Sequence, residues 1–302
     1  MSERTLHRLR PWGRAGLSAG LITLVLTPAG RARATTPAES VPPRSALVEF
    51  VDGLPELFNL ALPTVGPGGL FRLYTHPHFG DLVHNNYLRI PLGVRAKVNP
   101  PMEASGELQS YFTHGLRHSS GYGLSGLLLG LKHEQSVPGR SDAGWSTGLN
   151  FSTPLSRPPM ELTDGYRHTL PYVTATYPLL RKWKVVGYST VGADLLNHTA
   201  LPSNFGRNQL HGNAVSTVMG AARDWQRFLF SLTATYATTA LLSNKSDQVF
   251  GLRPSVLIPL RPLTSSRLRA MLTVGGRAIW GPDGRELGVS SSLRVKFDIK
   301  TR

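Results

Sequence analysis

The chain has 302 residues, of which 33 are Lys or Arg and 18 are Asp or Glu, so its formal net charge at pH 7 is +15. It contains no cysteine, which excludes disulfide cross-links and a lipid-modified cysteine anchor. A surplus of cations suits nucleic acid, anionic lipid headgroups or an interior that attracts anions.

Residues 1–34 contain the three parts of a secretory signal peptide in the right order. Four arginines between Arg4 and Arg14 form a basic head, residues 15–26 are apolar, and Ala32-Arg33-Ala34 supplies a small-x-small cleavage site. The apolar part is too short for a membrane-spanning helix. We predict a signal peptide over 1–34 and an exported chain that has no nucleic-acid partner. The remaining chain carries 27 basic and 17 acidic residues, a net charge of +10.

Residues 35–69 are predicted to precede the main domain. The stretch 35–46 is rich in proline and reads as a leader. In residues 47–62 the apolar side chains recur at roughly helical spacing, which indicates a short amphipathic segment, packed on the domain or inside a lumen.

From residue 70 onward, apolar and polar residues alternate. In residues 87–98 (YLRIPLGVRAKV), every second residue is apolar, and the positions between them include Arg89, Arg95 and Lys97. A helix would scatter both kinds of side chain around its circumference, whereas a strand separates them onto two faces. The pattern therefore predicts a strand with one aliphatic and one cationic face.

The same two-faced pattern recurs along the rest of the chain. The predicted strands are longer than the five or six residues usual in soluble domains, and a tilted strand needs about nine to eleven residues to cross a bilayer. We therefore predict an all-β fold, a closed antiparallel transmembrane β-barrel of about twelve strands over residues 70–302, with ten strands also tenable. The predicted strands are 70–79, 87–98, 106–114, 121–133, 144–155, 167–179, 183–197, 209–223, 227–238, 249–261, 268–280 and 287–300.

Glycine, aromatic residues and the connections fit this architecture. Glycines inside the strands suit inward positions that long side chains crowd. Short and long connections alternate along part of the chain, with 134–143 and the tight Gly-Pro-Asp-Gly turn at 281–284 as exceptions. Large aromatic residues near strand ends suit the two interfaces of a membrane; they are Trp145, Trp183, Trp225, Phe228 and Trp280.

Taken together, residues 70–302 resemble the porin-like bacterial outer-membrane β-barrels. The resemblance implies a location in the bacterial outer membrane and no cofactor. It implies outer-membrane lipids, lipopolysaccharide and the outer-membrane assembly machinery as partners. Such barrels usually end on an aromatic residue, whereas here Phe297 lies five residues before the C-terminus.

Cations on the polar face are the candidate binding residues. If that face lines a wet lumen, its positive potential concentrates anions. This favours a passive pore or binding channel for small anionic solutes, without a catalytic step. In a narrow barrel the same cations could instead pair with Glu107, Asp194, Glu286 and Asp298 and plug the lumen. The candidate cations are Arg89, Arg95, Lys97, Arg253, Arg269, Arg277, Arg294 and Lys296.

Two alternative functions stay open. The sequence His118, Ser120 and Gly121 is similar to the His-x-Ser-Asn-Gly stretch of outer-membrane acyl hydrolases, which implies His118 as base and Ser120 as nucleophile. It departs from that stretch because the Asn is missing and the Gly comes one place early. The other alternative is a secreted soluble β-sandwich that binds a ligand.

A metal site is a weaker hypothesis. His76, His78, His84 and Asp81 lie in the stretch THPHFGDLVHN, and a His-x-His spacing can place two ligands on one strand face. Pro77 interrupts the strand between the first two histidines, and we predict no metal.

Overall fold

The computed structural model of the protein describes residues 71–77, 87–99, 101–114, 121–136, 143–206, 208–225, 228–260 and 268–299. All of them belong to one compact unit. The predicted signal peptide (1–34) and the segment 35–69 lie outside the described residues and stay predictions. Among the residues described, no helix has the length and apolar character needed to cross a membrane.

Twelve β-strands make up nearly all of the described structure, joined by turns and two single 3-10 turns. Apart from β1, the strands have between 10 and 16 residues, so the alternating sequence stretches fold as long strands. The strands are β1 (Phe71–Thr75), β2 (Tyr87–Asn99), β3 (Met102–Thr113), β4 (Tyr122–Ser136), β5 (Gly144–Pro154), β6 (Tyr166–Leu180), β7 (Val185–His198), β8 (Ala214–Asp224), β9 (Leu229–Thr238), β10 (Gln248–Pro259), β11 (Leu268–Gly281) and β12 (Gly284–Ile299).

Every strand pairs antiparallel with its neighbours in sequence, and the first strand also pairs with the last. In β1, Phe71 lies opposite Ala96 of β2 on one side and opposite Ile299 of β12 on the other. The strand order therefore runs around a ring and returns to β1. The five residues of β1 pair with residues 92–96 of β2 and 295–299 of β12. The predicted all-β antiparallel fold is confirmed.

The structure corrects several predicted strand boundaries. β8 begins at Ala214 rather than at 209, because residues before it bond elsewhere: Gln209 N donates to Gly206 O over 3.2 Å within the loop, and Asn213 Oδ1 accepts from Leu196 N of β7 over 2.8 Å. Trp183 belongs to a 3-10 turn before β7. β3 begins at Met102, four residues earlier than predicted.

The two faces of the ring have opposite burial. In β9, Leu232 is 43 % exposed whereas its neighbour Thr233 is 1 % exposed. We call the buried side the inner face and the exposed side the outer face. The inner face is rich in Ser, Thr, Gly, Tyr and Arg. The outer face carries exposed aliphatic side chains such as Leu73, Leu149 and Val274.

Aromatic side chains of the outer face lie at both ends of the strands. We call the end with the connections 100–101, 181–184 and 225–228 the turn end, and the end with 155–165, 199–213 and 239–247 the loop end. The exposed aromatics are Trp145, Tyr177, Trp183, Trp225, Phe228 and Phe230 at or towards the turn end, and Phe112, Tyr122, Tyr236, Phe250 and Trp280 at the loop end.

Inner-face tyrosines lie across glycines of the neighbouring strand. Tyr172 pairs in register with Gly148, and a Cβ built on Gly148 would come within 2.3 Å of the tyrosine Cζ. Tyr74 covers Gly93 in the same way. The prediction that inward glycines accommodate crowded long side chains is confirmed at these positions.

We expect Gly148→Ala to destabilise the chain by about 1–3 kcal/mol, because the new methyl group forces the Tyr172 ring out of its position. The measurement is the midpoint of urea unfolding. Gly276→Ala is the control: its Cβ would meet only Pro254 Cγ at 3.7 Å and Gly288 O at 3.9 Å, and we expect a change within about 0.5 kcal/mol. Equal effects of the two substitutions would contradict this packing argument.

Candidate binding site on the inner face

The predicted cations belong to one face of the ring. Arg89, Arg95, Lys97, Arg253 and Arg277 occupy inner-face positions of β2, β10 and β11. The strand positions of the other three follow the same alternation, since Arg269 pairs with Lys296 and Arg294 pairs with Met271. The ring therefore gathers onto one face cations that lie far apart in the sequence.

Several of these cations pair with carboxylates. Arg95 Nη1 lies 2.6 Å from Glu103 Oε1, and both side chains are buried. Arg277 Nη2 bonds to Glu286 Oε1 nearer the loop end, where the Arg277 side chain is 51 % exposed. Lys132, also on the inner face, lies with its Nζ 2.7 Å from Glu134 Oε1. Part of the charge that the sequence suggested is therefore neutralised.

The carboxylate partners differ in part from those predicted. Glu286 does pair with an inner-face cation. Glu107 Oε2 instead lies 3.7 Å from His76 Nε2. The predicted pairing of the Asp298 carboxylate stays a prediction. Glu103 was missed because it precedes the predicted strand 106–114.

A buried polar cluster occupies the wall formed by β1, β2 and β3. The rings of Tyr74 and His76 stack with centroids 6.0 Å apart, and Arg95 Cζ lies 5.9 Å from the Tyr74 ring centroid. Tyr74 Oη and Arg95 Nε have no hydrogen-bond partner in the described part of the chain. Both atoms can donate a hydrogen bond to water or to a polar solute.

A row of hydroxyl groups occupies the opposite wall. Tyr188 on β7 reaches across β8 at Gly220, and its Oη lies 2.6 Å from Thr233 Oγ1 on β9. One strand further, Thr233 pairs in register with Arg253. Next to this row, Ser231 Oγ and Ser255 Oγ lie 2.7 Å apart. The Arg253 side chain is therefore set among hydroxyl groups.

An apolar cluster lies on the same wall, mostly nearer the turn end. Sequence analysis missed it because inner-face positions were expected to be polar. The signal was present in Leu229 and Leu257, which interrupt otherwise polar faces of β9 and β10. This apolar lumen cluster consists of Tyr188, Val218, Ala222, Leu229, Leu257 and Met271, all of them buried.

At the loop end, an ion cluster fastens a connection to the ring. His168 Nε2 lies 2.9 Å from Asp164 Oδ2, and His168 Nδ1 lies 3.0 Å from Asp194 Oδ1. Burial alone would raise the pKa of Asp164, but the hydrogen bond and charge of His168 outweigh it, so the pKa of this carboxyl lies below its usual range. Asp194 was predicted to pair with a lumenal Arg or Lys, but it pairs with His168.

The residues of the hydrolase and metal hypotheses are mostly outside the described structure. His118 and Ser120 lie in the undescribed stretch 115–120, so the acyl-hydrolase alternative is untested. Of the four candidate metal ligands, only His76 is described, and it lies against Glu107. Within the described ranges, no group of three His, Cys, Asp or Glu residues could hold a metal ion.

Comparison with known proteins gives matches among solved structures only. No protein-family model matches the chain, and no curated protein matches it. It is similar to the KdgM porin (6 % identity, 76 % of this chain and 99 % of that one, TM-score 0.45). It is similar to the NanC porin (10 % identity, 76 % of this chain and 100 % of that one, TM-score 0.43). It is also similar to the COG4313 outer membrane channel from Pseudomonas putida F1 (8 % identity, 77 % of this chain and 96 % of that one, TM-score 0.48). Identities this low carry no information on which solute this chain handles.

Glu103→Gln should destabilise the protein by about 3–5 kcal/mol, because it leaves the buried Arg95 guanidinium without its carboxylate. Glu286→Gln is the matched control. Its partner Arg277 is half-exposed, so this substitution should lower the free energy of unfolding by about 1 kcal/mol or less. Urea unfolding of both variants measures the difference. If Glu103→Gln unfolds like the control, the buried pair is not a stabilising contact.

Proposed function

We propose that the chain is a twelve-stranded closed β-barrel of the bacterial outer membrane, and that its lumen admits or binds small anionic solutes. One observation carries the proposal: in a ring of long paired strands, charged and hydroxyl side chains are buried on the inner face, while large apolar side chains are exposed on the outer face.

The outer face suits hydrocarbon. A soluble sandwich packs its aliphatic faces against each other, whereas here residues such as Leu73, Leu149 and Val274 are exposed. A large exposed apolar surface is rare on soluble proteins and marks contact with a membrane or a partner. Aromatic side chains at both ends of the strands fit the two girdles of a membrane barrel. These arguments favour the barrel over the secreted sandwich.

The predicted signal peptide and the paired strands support the outer membrane as the location. In a bilayer, every backbone polar group needs an internal partner, and a ring of paired strands supplies one. With that location, outer-membrane lipids and lipopolysaccharide would contact the outer face, and the assembly machinery would insert the chain.

The anionic preference rests on the inner face. Arginine and lysine on that face attract anions into a space with low-dielectric walls. Selectivity by rings of charged side chains is an established principle of channels. The ion pairs of Arg95 and Arg277 reduce this preference, so the unpaired cations would determine it.

Membrane fractionation followed by electrophoresis of heated and unheated samples tests the barrel. A barrel is expected to fractionate with the outer membrane and to migrate differently before and after heating. Recovery from the periplasm without detergent would support the soluble sandwich instead.

Two exposed leucines provide a sharper test of the outer face. Leu232 lies within β9, and Leu241, 70 % exposed, lies in the 239–247 connection. Leu232→Lys should cost about 2–4 kcal/mol, because it places a charge in hydrocarbon, whereas Leu241→Lys should cost no more than about 0.5 kcal/mol. The measurement is urea unfolding of the protein folded into lipid vesicles. In a soluble protein both substitutions would be tolerated equally.

Charge reversal tests the anionic preference. Replacing Arg253 and Arg294 by Glu should shift the reversal potential in planar bilayers toward cations, because the lumen loses two positive charges and gains two negative ones. Arg167→Glu is the control, since Arg167 is exposed on the outer face of β6. An unchanged reversal potential in the double variant would remove the anionic preference.

A further inference from the structure

The inner-face cations divide into those with a carboxylate and those without. Arg95, Lys132 and Arg277 each have a carboxylate oxygen within ion-pair distance. Arg253 has neither an ion pair nor a hydrogen bond to any described residue. Lys97 also lacks an ion pair within the described ranges, but it lies at the turn end of β2, in register with Glu103. Arg253 is therefore the described cation in the middle of a strand that keeps an uncompensated charge.

The surroundings of Arg253 are suited to an anion. Thr233 lies opposite it on β9, and Ser255 is two residues further along β10 on the same face. Arg277 is close enough for its positive charge to act on Arg253. Arg277 already has the Glu286 carboxylate, so the guanidinium that an added oxyanion would stabilise is that of Arg253.

The glycine at position 220 allows Tyr188 to reach these hydroxyl groups. A Cβ on Gly220 would lie 2.1 Å from Tyr188 Oη, so a larger residue would push Tyr188 away from Thr233. With glycine present, the Tyr188 hydroxyl satisfies the buried Thr233 hydroxyl.

The depth of Arg253 makes it a stopping point for a solute. Arg277 is half-exposed, whereas Arg253 has intermediate burial. The register of β10 and β11 puts the two arginines at one level, because Leu252 pairs with Ala278 and Ser255 pairs with Gly275. Further toward the turn end, Leu257 and Leu229 of the apolar lumen cluster pair with each other and are buried. An anion that enters from the loop end would reach Arg253 before a dry apolar surface that cannot hydrate it.

We infer that Arg253, with Thr233 and Ser255 beside it and Arg277 at the same level of β11, forms an oxyanion-binding site on the loop-end side of the apolar lumen cluster. The ligand class is a solute with a carboxylate or phosphate group, because these groups accept two hydrogen bonds from one guanidinium. The inference rests on the proposed function, since it places a binding step inside the proposed lumen.

Phosphate titration of the full-length mature chain, folded in detergent, tests the site. Phosphate replaces chloride at constant ionic strength, and the urea midpoint is recorded at each concentration. A ligand that binds only the folded chain raises this midpoint saturably. Arg253→Gln should weaken the apparent phosphate affinity roughly ten-fold or more, whereas Lys132→Gln, which removes an already paired cation, should leave it unchanged.

A second variant, Arg253→Lys, tests the site if Arg253→Gln does not fold. Arg253→Lys keeps the charge but loses the two-pronged donor geometry, so phosphate should bind more weakly than to the original chain. Equal phosphate affinity of Arg253→Lys or Arg253→Gln and the original chain would overturn the site. So would a midpoint that phosphate does not raise.

Conductance measured in planar bilayers separates this outcome from a failure of the proposed pore. A chain that binds phosphate through Arg253 but passes no current keeps the site and loses the pore. A chain that conducts anions while phosphate acts equally on all variants keeps the pore and loses the site.

Discussion

Every feature of the inner face depends on the register between neighbouring strands. A slip of one residue would turn all side chains of a strand to the other face, which would put arginines outside and leucines inside. The register is unbroken from β7 to β10 along this row: Tyr188 lies opposite Gly220, Gly220 opposite Thr233, and Thr233 opposite Arg253. It shifts elsewhere, between Lys97 and Asn99, between Gln109 and Ser110, and between Pro178 and Leu180.

Register alone does not decide what the inner face can do, because neighbouring side chains neutralise or expose each charge. Arg95 and Arg253 are alike in sequence, since both alternate with aliphatic residues. The structure places Glu103 against the first and hydroxyl groups around the second. A buried ion pair mainly organises its wall, whereas an uncompensated guanidinium retains the capacity to bind.

Much of the sheet could be predicted from the sequence, and much of the site could not. Alternation over residues 87–98 predicted β2 to within one residue, because the two faces of a long strand in this ring have different environments. It also placed the candidate cations on one face. The boundary of β8 was wrong because strand-like residues before it bond within the loop, as Gln209 does to Gly206, or to the end of β7, as Asn213 does.

Pairing partners depend on contacts between distant segments, and the sequence pattern carries no record of them. Glu103 lies eight residues from Arg95 yet was not named as its partner, because a connection of unknown length separates their strands. The inner-face leucines Leu229 and Leu257 were overlooked for a related reason: only the ring shows that they meet.

The close packing of Tyr188 against Gly220 couples the substitutions that evolution can accept at these two positions. Neither residue can be exchanged freely while the other is kept, because a side chain at position 220 would occupy the space of the tyrosine hydroxyl. Descendants of this chain that enlarge position 220 should therefore also shrink position 188. Paired changes at these two positions would be a trace of this contact in the evolutionary history of the chain.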